Sequence, residues 1–288
     1  MDILVFGLIN SVSLALMALG FTLVYGISRL PNFAHGALYV LAGFVAWVLL
    51  RSFNLGYLPS VLIAVAAVGL LGMAMYRFVL IRIRGIPISE IIASYAIGLF
   101  ILEGLRWRGL KGMTFTLPVI VPGGVELLGV PVDFQRILVV VIAAAILLGL
   151  WGFTRFTKIG LALRGIAQDE RAAMMLGIDS DAMATIANGL GSALAAVAAI
   201  VLLPLGNIVV EGGYHVLIFA IAVCVVGGLG SWAGAVFASF LIGFAQILTV
   251  VYIQSHFQLV VALLAIIVTL IVRPSGLFGR QKELEERV

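Results

Sequence analysis

The side chains able to do chemistry in this chain concentrate in one short stretch. Residues 160–182 read GLALRGIAQDERAAMMLGIDSDA and bring Arg164, Asp169, Glu170, Arg171, Asp179 and Asp181 close together. VIAAAILLGLWGF lies before it and MATIANGLGSALAAVAAIVLL after it. No enzyme motif accompanies this charge. A G-x-x-x-x-G-K-[ST] phosphate loop is absent, so the chain does not bind ATP in that manner. His35, His215 and His256 are far apart and lack H-E-x-x-H spacing, so they do not promise a zinc site. G-x-S-x-G is absent as well. The single cysteine, Cys224, excludes an intramolecular disulfide and reads as a small core residue.

The elements that must hold this stretch are set by composition. The 288 residues are 63% hydrophobic and 10% charged, with a mean hydropathy of +1.24. A soluble domain is roughly half apolar and a quarter charged. No single globular core absorbs that much apolar surface, so the bilayer is the solvent and the chain is a polytopic membrane protein. The net charge of +4 does not point to nucleic acid, because Lys and Arg are spread among loops, where they serve topology. The N-terminus carries Asp2 in place of a basic n-region and its apolar run is long, so it reads as a retained first span.

Segments long enough to span are 5–27, 34–50, 59–80, 88–105, 137–153, 183–203, 214–230, 233–252 and 257–272. Their continuous apolar runs lack the alternation of barrel strands. The expected fold is an all-α membrane bundle of eight or nine transmembrane helices in a single transmembrane domain. The pair within 214–252 reads either as a tight hairpin or as a broken helix. With 154–182 in the cytoplasm, nine spans put the N-terminus outside and the tail RQKELEERV inside. Arg29, Arg77, Arg82, Arg84, Arg155, Lys158, Arg164, Arg171, Arg273, Arg280, Lys282 and Arg287 then face inward. Arg51, Arg106, Arg108, Lys111 and Arg136 face outward, a balance that favours this orientation. The external loop 106–136 is read as turns at PGG and GVPVD.

Glycines at 7, 20, 26, 189 and 191 suit close helix packing. The denser runs around Gly36 and around Gly227, Gly228, Gly230 and Gly234 are candidates for helix breaks that line a substrate site. NFAHG and GGLGSWAG are read as corresponding places in a weak internal repeat, pairing the first three spans with the last three. Polar groups inside spans are costly and so informative. They are Asn10, Ser11 and Ser13 in span one, Asn32 and His35 at span two, and Glu90 and Glu103 flanking span four. Asn188 and Ser192 follow in span six and Gln246 in span eight. None resembles an ion relay, which counts against a proton- or sodium-driven carrier. Gln168 to Leu176 is expected as a short helix with Asp169 and Glu170 at its start and Gly177 as its C-cap. Ala172, Met175 and Leu176 share one face. Docking into a groove of another protein and a plain linker helix both fit that pattern.

Three stretches together carry a resemblance: GLINSVSLALMALGFTLVYGISRLPNFAHGALYVLAGFVAW (7–47), TKIGLALRGIAQDERAAMMLGID (157–179), and VVGGLGSWAGAVFASFLIGF (225–244) with RPSGLFG (273–279). They are similar to the H-type permease subunits of the branched-chain amino acid (LIV) type of ABC importer, in that family's order. The resemblance implies a multi-pass subunit of the inner membrane that takes branched-chain or related amino acids across it. It implies a second permease subunit, two cytoplasmic ATPase subunits carrying ATP and Mg, and a periplasmic substrate-binding protein, with no cofactor, metal or catalysis on this chain. Residues 160–182 would then be the coupling segment. RAAMMLG resembles the importer pattern E-A-A-x-x-x-G at Ala172, Ala173 and Gly177, but Arg171 stands where that pattern has Glu. The coupling set is Arg164, Asp169, Glu170, Arg171, Ala172, Ala173, Met175, Leu176 and Gly177. Asn32, His35, Gly36, Asn188, Ser192, Gly228 and Gly230 are the candidates for the translocation path. A stand-alone carrier or channel for a small polar solute such as urea or an amide is the alternative; a membrane-embedded enzyme would need clustered ionisable groups that the sequence lacks.

Overall fold

The computed structural model describes residues 1–108, 115–127 and 129–279. The tail cations Arg280, Lys282 and Arg287 and the loop cation Lys111 lie outside the described residues. Among the described residues eleven α-helices run in order: α1 Asp2–Ser28, α2 His35–Arg51, α3 Tyr57–Phe78, α4 Pro87–Arg108, α5 Phe134–Phe156, α6 Lys158–Gln168, α7 Glu170–Met175, α8 Ser180–Leu202, α9 Val210–Gly227, α10 Trp232–Tyr252 and α11 Gln258–Val272. Among the described residues, eight helices are long and apolar enough to cross a membrane. The ninth apolar helix, α2, is shorter. In hydrocarbon each backbone group must be bonded internally, which is why uninterrupted apolar runs resolve into helices.

The 214–252 ambiguity resolves as a hairpin. α9 ends at Gly227, and Gly228 and Gly230 take positive φ values of 101° and 79° in the turn. The described part of the loop 106–136 holds more than turns. It holds an antiparallel pair, β1 Gly124–Leu127 and β2 Val130–Asp133. Val130 and Val132 bury against Val5, Phe6 and Ile9 of α1.

α8 is central, with Ala195, Ala196, Ala198 and Ala199 fully enclosed, whereas α5 and α11 expose Leu148, Ile271 and Val272 at the periphery. α1 packs chiefly on α10 and α8, and α3 on α8. Exchanging α1 with α8, α2 with α9, α3 with α10 and α4 with α11 maps the main contacts onto one another. α1 on α10 becomes α8 on α3, α9 on α1 becomes α2 on α8, and α11 on α9 becomes α4 on α2. An internal repeat is therefore present, but in a different register from that read in the sequence. The first four spans match the last four, and the twin of NFAHG is the NIVVEGG segment that leads into α9, not GGLGSWAG. α5 makes the number of spans between the halves odd, so the halves are inverted. α1 and α8 accordingly run antiparallel: Gly20 lies on Gly191, and Asn32, beyond the end of α1, reaches back to Asn188.

α2 and α9 both begin inside the bundle. His35, at the start of α2, bonds through Nε2 to the Met17 carbonyl at 2.9 Å, while α1 continues to Ser28. At 1.5 Å per residue α2 starts roughly 10–15 Å short of the end of α1. Gly36 meets Gly213 near the start of α9, where a Cβ on Gly213 would stand 3.0 Å from the Gly36 carbonyl oxygen. The connecting segments 29–34 and 203–209 thus return into the bundle, the first as irregular backbone and the second through a short 3-10 turn at Leu203–Leu205 followed by irregular backbone. Such backbone persists at membrane depth only where protein buries it or a cavity hydrates it.

Candidate functional site

Two regions stand out, one at each end of the bundle. The first is the charged segment. Thr157 caps α6, accepting from Gly160 N at 3.0 Å. Leu163 and Ile166 of α6 bury against Leu23, Ile27 and Ala187. The expected single helix over Gln168–Leu176 is instead split at Asp169. Gln168 closes α6, and the Asp169 carboxylate accepts from Ala172 N at 3.0 Å to begin α7. A capping carboxylate satisfies an otherwise orphaned donor and outweighs helix continuity. Gly177, at φ 82°, ends α7 as expected. Ile178 N donates to Ala173 O at 3.2 Å and Gly177 N to Met174 O at 2.9 Å, the pair of bonds of a Schellman closure.

These two caps decide what α7 presents. Ala173 turns inward and is buried, while Met175 and Leu176 are 88% and 83% exposed. Arg164, Arg171, Ala172 and Gly177 are exposed around them. Glu170 faces the other way. The Arg84 guanidinium, just beyond α3, pairs with Glu170 and Asp181 and donates to Ser180 Oγ at 2.8 Å. Burial opposes the charge on Arg84, but the surrounding groups, with the two carboxylates among them, hold it above its ordinary range. Asp179 caps α8 through Asp181 N and Ala182 N at 2.9 and 3.1 Å. The segment is therefore a capped, apolar-tipped projection tied to the α3–α4 connection through Arg84.

The second region is an open cavity of about 790 Å³ at the opposite end, lined chiefly by α1, α9, α10 and the returning segment 203–209. Asn10, Ser13, Asn207 and His215 supply polar groups to it, and Asp2, Arg136 and Glu211 supply charge. Ile9, Met17, Phe219, Ile247 and Val250 make its apolar wall. Asn10 is held by its Nδ2, which donates to Gly243 O at 3.1 Å and Gln246 Oε1 at 3.0 Å. Gln246 Nε2 in turn donates to Gln258 O at 3.1 Å. Sequence reasoning marked Asn10 and Ser13 as polar but proposed no site there, because the lining is shared among several elements with no common motif. The intramembrane polar pair Asn10 and Gln246 was the available signal.

The residues read from the sequence as path candidates lie elsewhere, and none of them lines this cavity. Asn32 and Asn188 come together, Nδ2 to Oδ1 at 3.4 Å, beside a small void of about 10 Å³ near the α7 end. His35 is buried edge-on to Phe21, and Gly36 forms the α2–α9 crossing. Ser192 is buried, donating to Asn188 O at 2.7 Å. Gly228 and Gly230 pack against the backbones of Gly276 and Gly26.

A family model described as "Branched-chain amino acid transport system / permease component" matches residues 3–271. Among curated proteins, the chain is 29% identical to the high-affinity branched-chain amino acid transport system permease protein BraD of Pseudomonas aeruginosa, over 96% of this chain and 95% of that one. It is 30% identical to the probable branched-chain amino acid transport permease protein LivH of Methanocaldococcus jannaschii, over 94% and 90%. The LivH protein of Escherichia coli K12 is 27% identical over 92% and 91%. Among solved structures, one chain of "PsaBC from Streptococcus pneumoniae in complex with Fab" shares the fold, with a TM-score of 0.54 at 14% identity over 100% of this chain and 96% of that one. This multi-pass membrane chain belongs to the family of branched-chain amino acid transport permease components.

Proposed function

We propose that this chain is the permease subunit of an ATP-driven importer in the cytoplasmic membrane, and that it forms the path for branched-chain or related amino acids. One observation carries the reading: the exposed Met175–Leu176 tip on an otherwise charged segment, held by caps at Asp169 and Gly177. An apolar tip at a loop of a membrane protein costs free energy unless a partner covers it. The partner in this reading is a cytoplasmic ATPase, one of two that carry ATP and Mg, with a second permease subunit beside this chain and a periplasmic binding protein delivering substrate.

Ala172, Met175 and Leu176 enter a groove of the ATPase, and Arg164 and Arg171 flank it. Closure of the ATPases on ATP pushes α7, and Arg84 passes the displacement to α3 and α4 through Glu170 and Asp181. The large cavity is the outer vestibule. Its apolar wall suits an aliphatic side chain, and its neutral amides, carboxylates and Arg136 suit the ammonium and carboxylate of an amino acid. This chain makes and breaks no covalent bond.

The test is co-purification from gently solubilised native membranes, with ATP-driven uptake measured on the same material. Burying a leucine side chain contributes about 1.5–3 kcal/mol, so Leu176→Asp should weaken ATPase recovery by roughly ten- to a hundredfold. Its membrane insertion should be unchanged, because Leu176 touches little of its own chain. Recovery of the ATPases and a second permease from the unaltered chain, lost in Leu176→Asp, supports the reading. A chain that purifies alone and still transports when reconstituted overturns it in favour of an independent carrier.

A further inference from the structure

A separate apolar cavity of about 170 Å³ lies at the base of the charged segment, over the last turns of α1. Leu23 and Ile27 of α1 and Leu163 of α6 make its wall and are buried. Thr154 of α5 adds no free polar group, because its hydroxyl donates to Leu150 O at 2.8 Å and Trp151 O at 3.0 Å. Arg164 and Ala167, one helical turn apart on α6, are exposed at its mouth. Trp232, at the start of α10, lines it from the other side, and no acidic side chain takes part in the lining. Among the described residues, neither the Arg164 guanidinium nor the Trp232 indole nitrogen has a hydrogen-bond or ion-pair partner. Arg84 pairs with Glu170 and Asp181, and Arg106 with Glu103 and Glu211. Arg164 is thus a cation at the mouth of an apolar space with its charge unanswered.

We propose that this cavity binds an anionic phospholipid of the cytoplasmic leaflet, with the phosphate on Arg164 and the upper part of one acyl chain in the apolar space. This rests on the importer reading above only for the placing of the α7 end in the cytoplasm. A lipid fits better than a soluble anion. An apolar cavity of about 150 Å³ stays dry and holds a benzene-sized group, so the space between Leu23, Ile27 and Leu163 suits hydrocarbon and offers a bare phosphate little. The depth is right as well. α1 ends at Ser28, so at 1.5 Å per residue Leu23 lies roughly 7 Å inside that end, where headgroups give way to acyl chains. The surroundings are interfacial. Arg155 lies over the Trp151 ring at 5.4 Å, Phe156 meets that ring edge-on, and α6 exposes Ile159 and Leu161. Aromatic rings, snorkelling cations and an amphipathic helix mark the boundary between membrane and water. The leaflet also has access. α5 and α10 each pack on α1 but scarcely on each other, leaving a gap over that end of α1 that α6 fills only in part. A lipid seated there holds α6, and through it the α7 tip, against α1.

The experiment uses the full chain, purified in mild detergent with whatever subunits accompany it. Native mass spectrometry counts bound lipid after addition of phosphatidylglycerol or of phosphatidylcholine with the same acyl chains. Phosphatidylglycerol should be retained at least about fivefold better, the weight of one surface cation beside an anionic lipid. Arg164→Gln should remove that preference and Arg164→Lys keep most of it. Ala167→Trp, which blocks the mouth without altering charge, should lower retention. Arg155→Gln, an equal loss of charge outside the lining, should leave it unchanged. A phosphatidylglycerol with a photoactivatable diazirine high on one acyl chain should label peptides that contain residues 23–27, 163–167 or 232. Equal retention of the two lipids, a preference lost as readily in Arg155→Gln as in Arg164→Gln, or labelling only elsewhere overturns the site. Displacement of the lipid by an equal concentration of glycerol phosphate overturns it in favour of a soluble anion. Labelling abolished by a second permease subunit bound to the chain overturns it in favour of that subunit as the occupant. Neither readout involves nucleotide or uptake, so loss of the site leaves the importer reading standing, and uptake independent of ATP leaves the site.

Discussion

Gly20 and Gly191 cross backbone to backbone. A Cβ on Gly191 would stand 2.7 Å from the carbonyl oxygen of Gly20, and a Cβ on Gly20 would overlap the carbonyl oxygen of Gly191. This is where α1 meets its inverted twin α8. Gly36 and Gly213 do the same for α2 and α9. Without a hydrophobic driving force between helices in lipid, packing at such contacts decides association.

Gly191→Ala is therefore expected to destabilise the bundle by about 1–3 kcal/mol, the usual cost of forcing a methyl group into a packed contact. Thermal unfolding in detergent reads this directly. Gly149→Ala is the reference, because nothing lies within 4 Å of a Cβ there and alanine is favoured over glycine in a helix.

Arg84→Ala should separate stability from coupling. Its pairs with Glu170 and Asp181 are about one-third exposed, so each is worth no more than about 1 kcal/mol of stability. Uptake should fall by roughly tenfold, the scale of a typical coupling between distant sites, with ATP hydrolysis retained. Uptake and hydrolysis measured together in proteoliposomes distinguish this from a loss of assembly. Arg84→Lys, which keeps the charge but not the fork of donors, should lie between the two.

Gly177→Val tests the shape of the α7 projection. Nothing lies within 4 Å of a Cβ at Gly177, so the cost comes from its φ of 82° alone. A β-branched residue held there pays about 1–2 kcal/mol, enough to undo the closure of a six-residue helix. ATPase recovery in the co-purification should drop while insertion stays normal.

Asn10→Ala removes a link between α1 and α10 and a polar group from the outer cavity. Interhelical hydrogen bonds in membranes contribute about 0.6–2 kcal/mol, so a modest fall in thermal stability is expected. A raised KM for uptake at constant protein level is the specific readout for the vestibule.

Much of this molecule was legible from its order of residues. Composition alone required a membrane bundle, and each apolar run marked a helix to within a few residues. Gly177 announced its own role, because a positive φ after a short helix favours glycine. The register of the internal repeat was not legible. NFAHG and GGLGSWAG share small residues, but the true twin of NFAHG carries Glu211 and little sequence likeness. Nor did spacing show that Asp169 would interrupt a helix by capping the next one.

The sequence by itself determined the solvent, the helices and the place of the charged segment 160–182 between two apolar spans, because these follow from local hydropathy, capping and turn chemistry. Only the tertiary structure decided which helices cross, that α2 and α9 start inside the bundle, and that the large cavity gathers Asn10, Asn207 and His215 from three separate segments. Such relations depend on close backbone approaches between residues more than a hundred positions apart, and nothing in a linear pattern of apolar and polar residues ranks one helix partner above another.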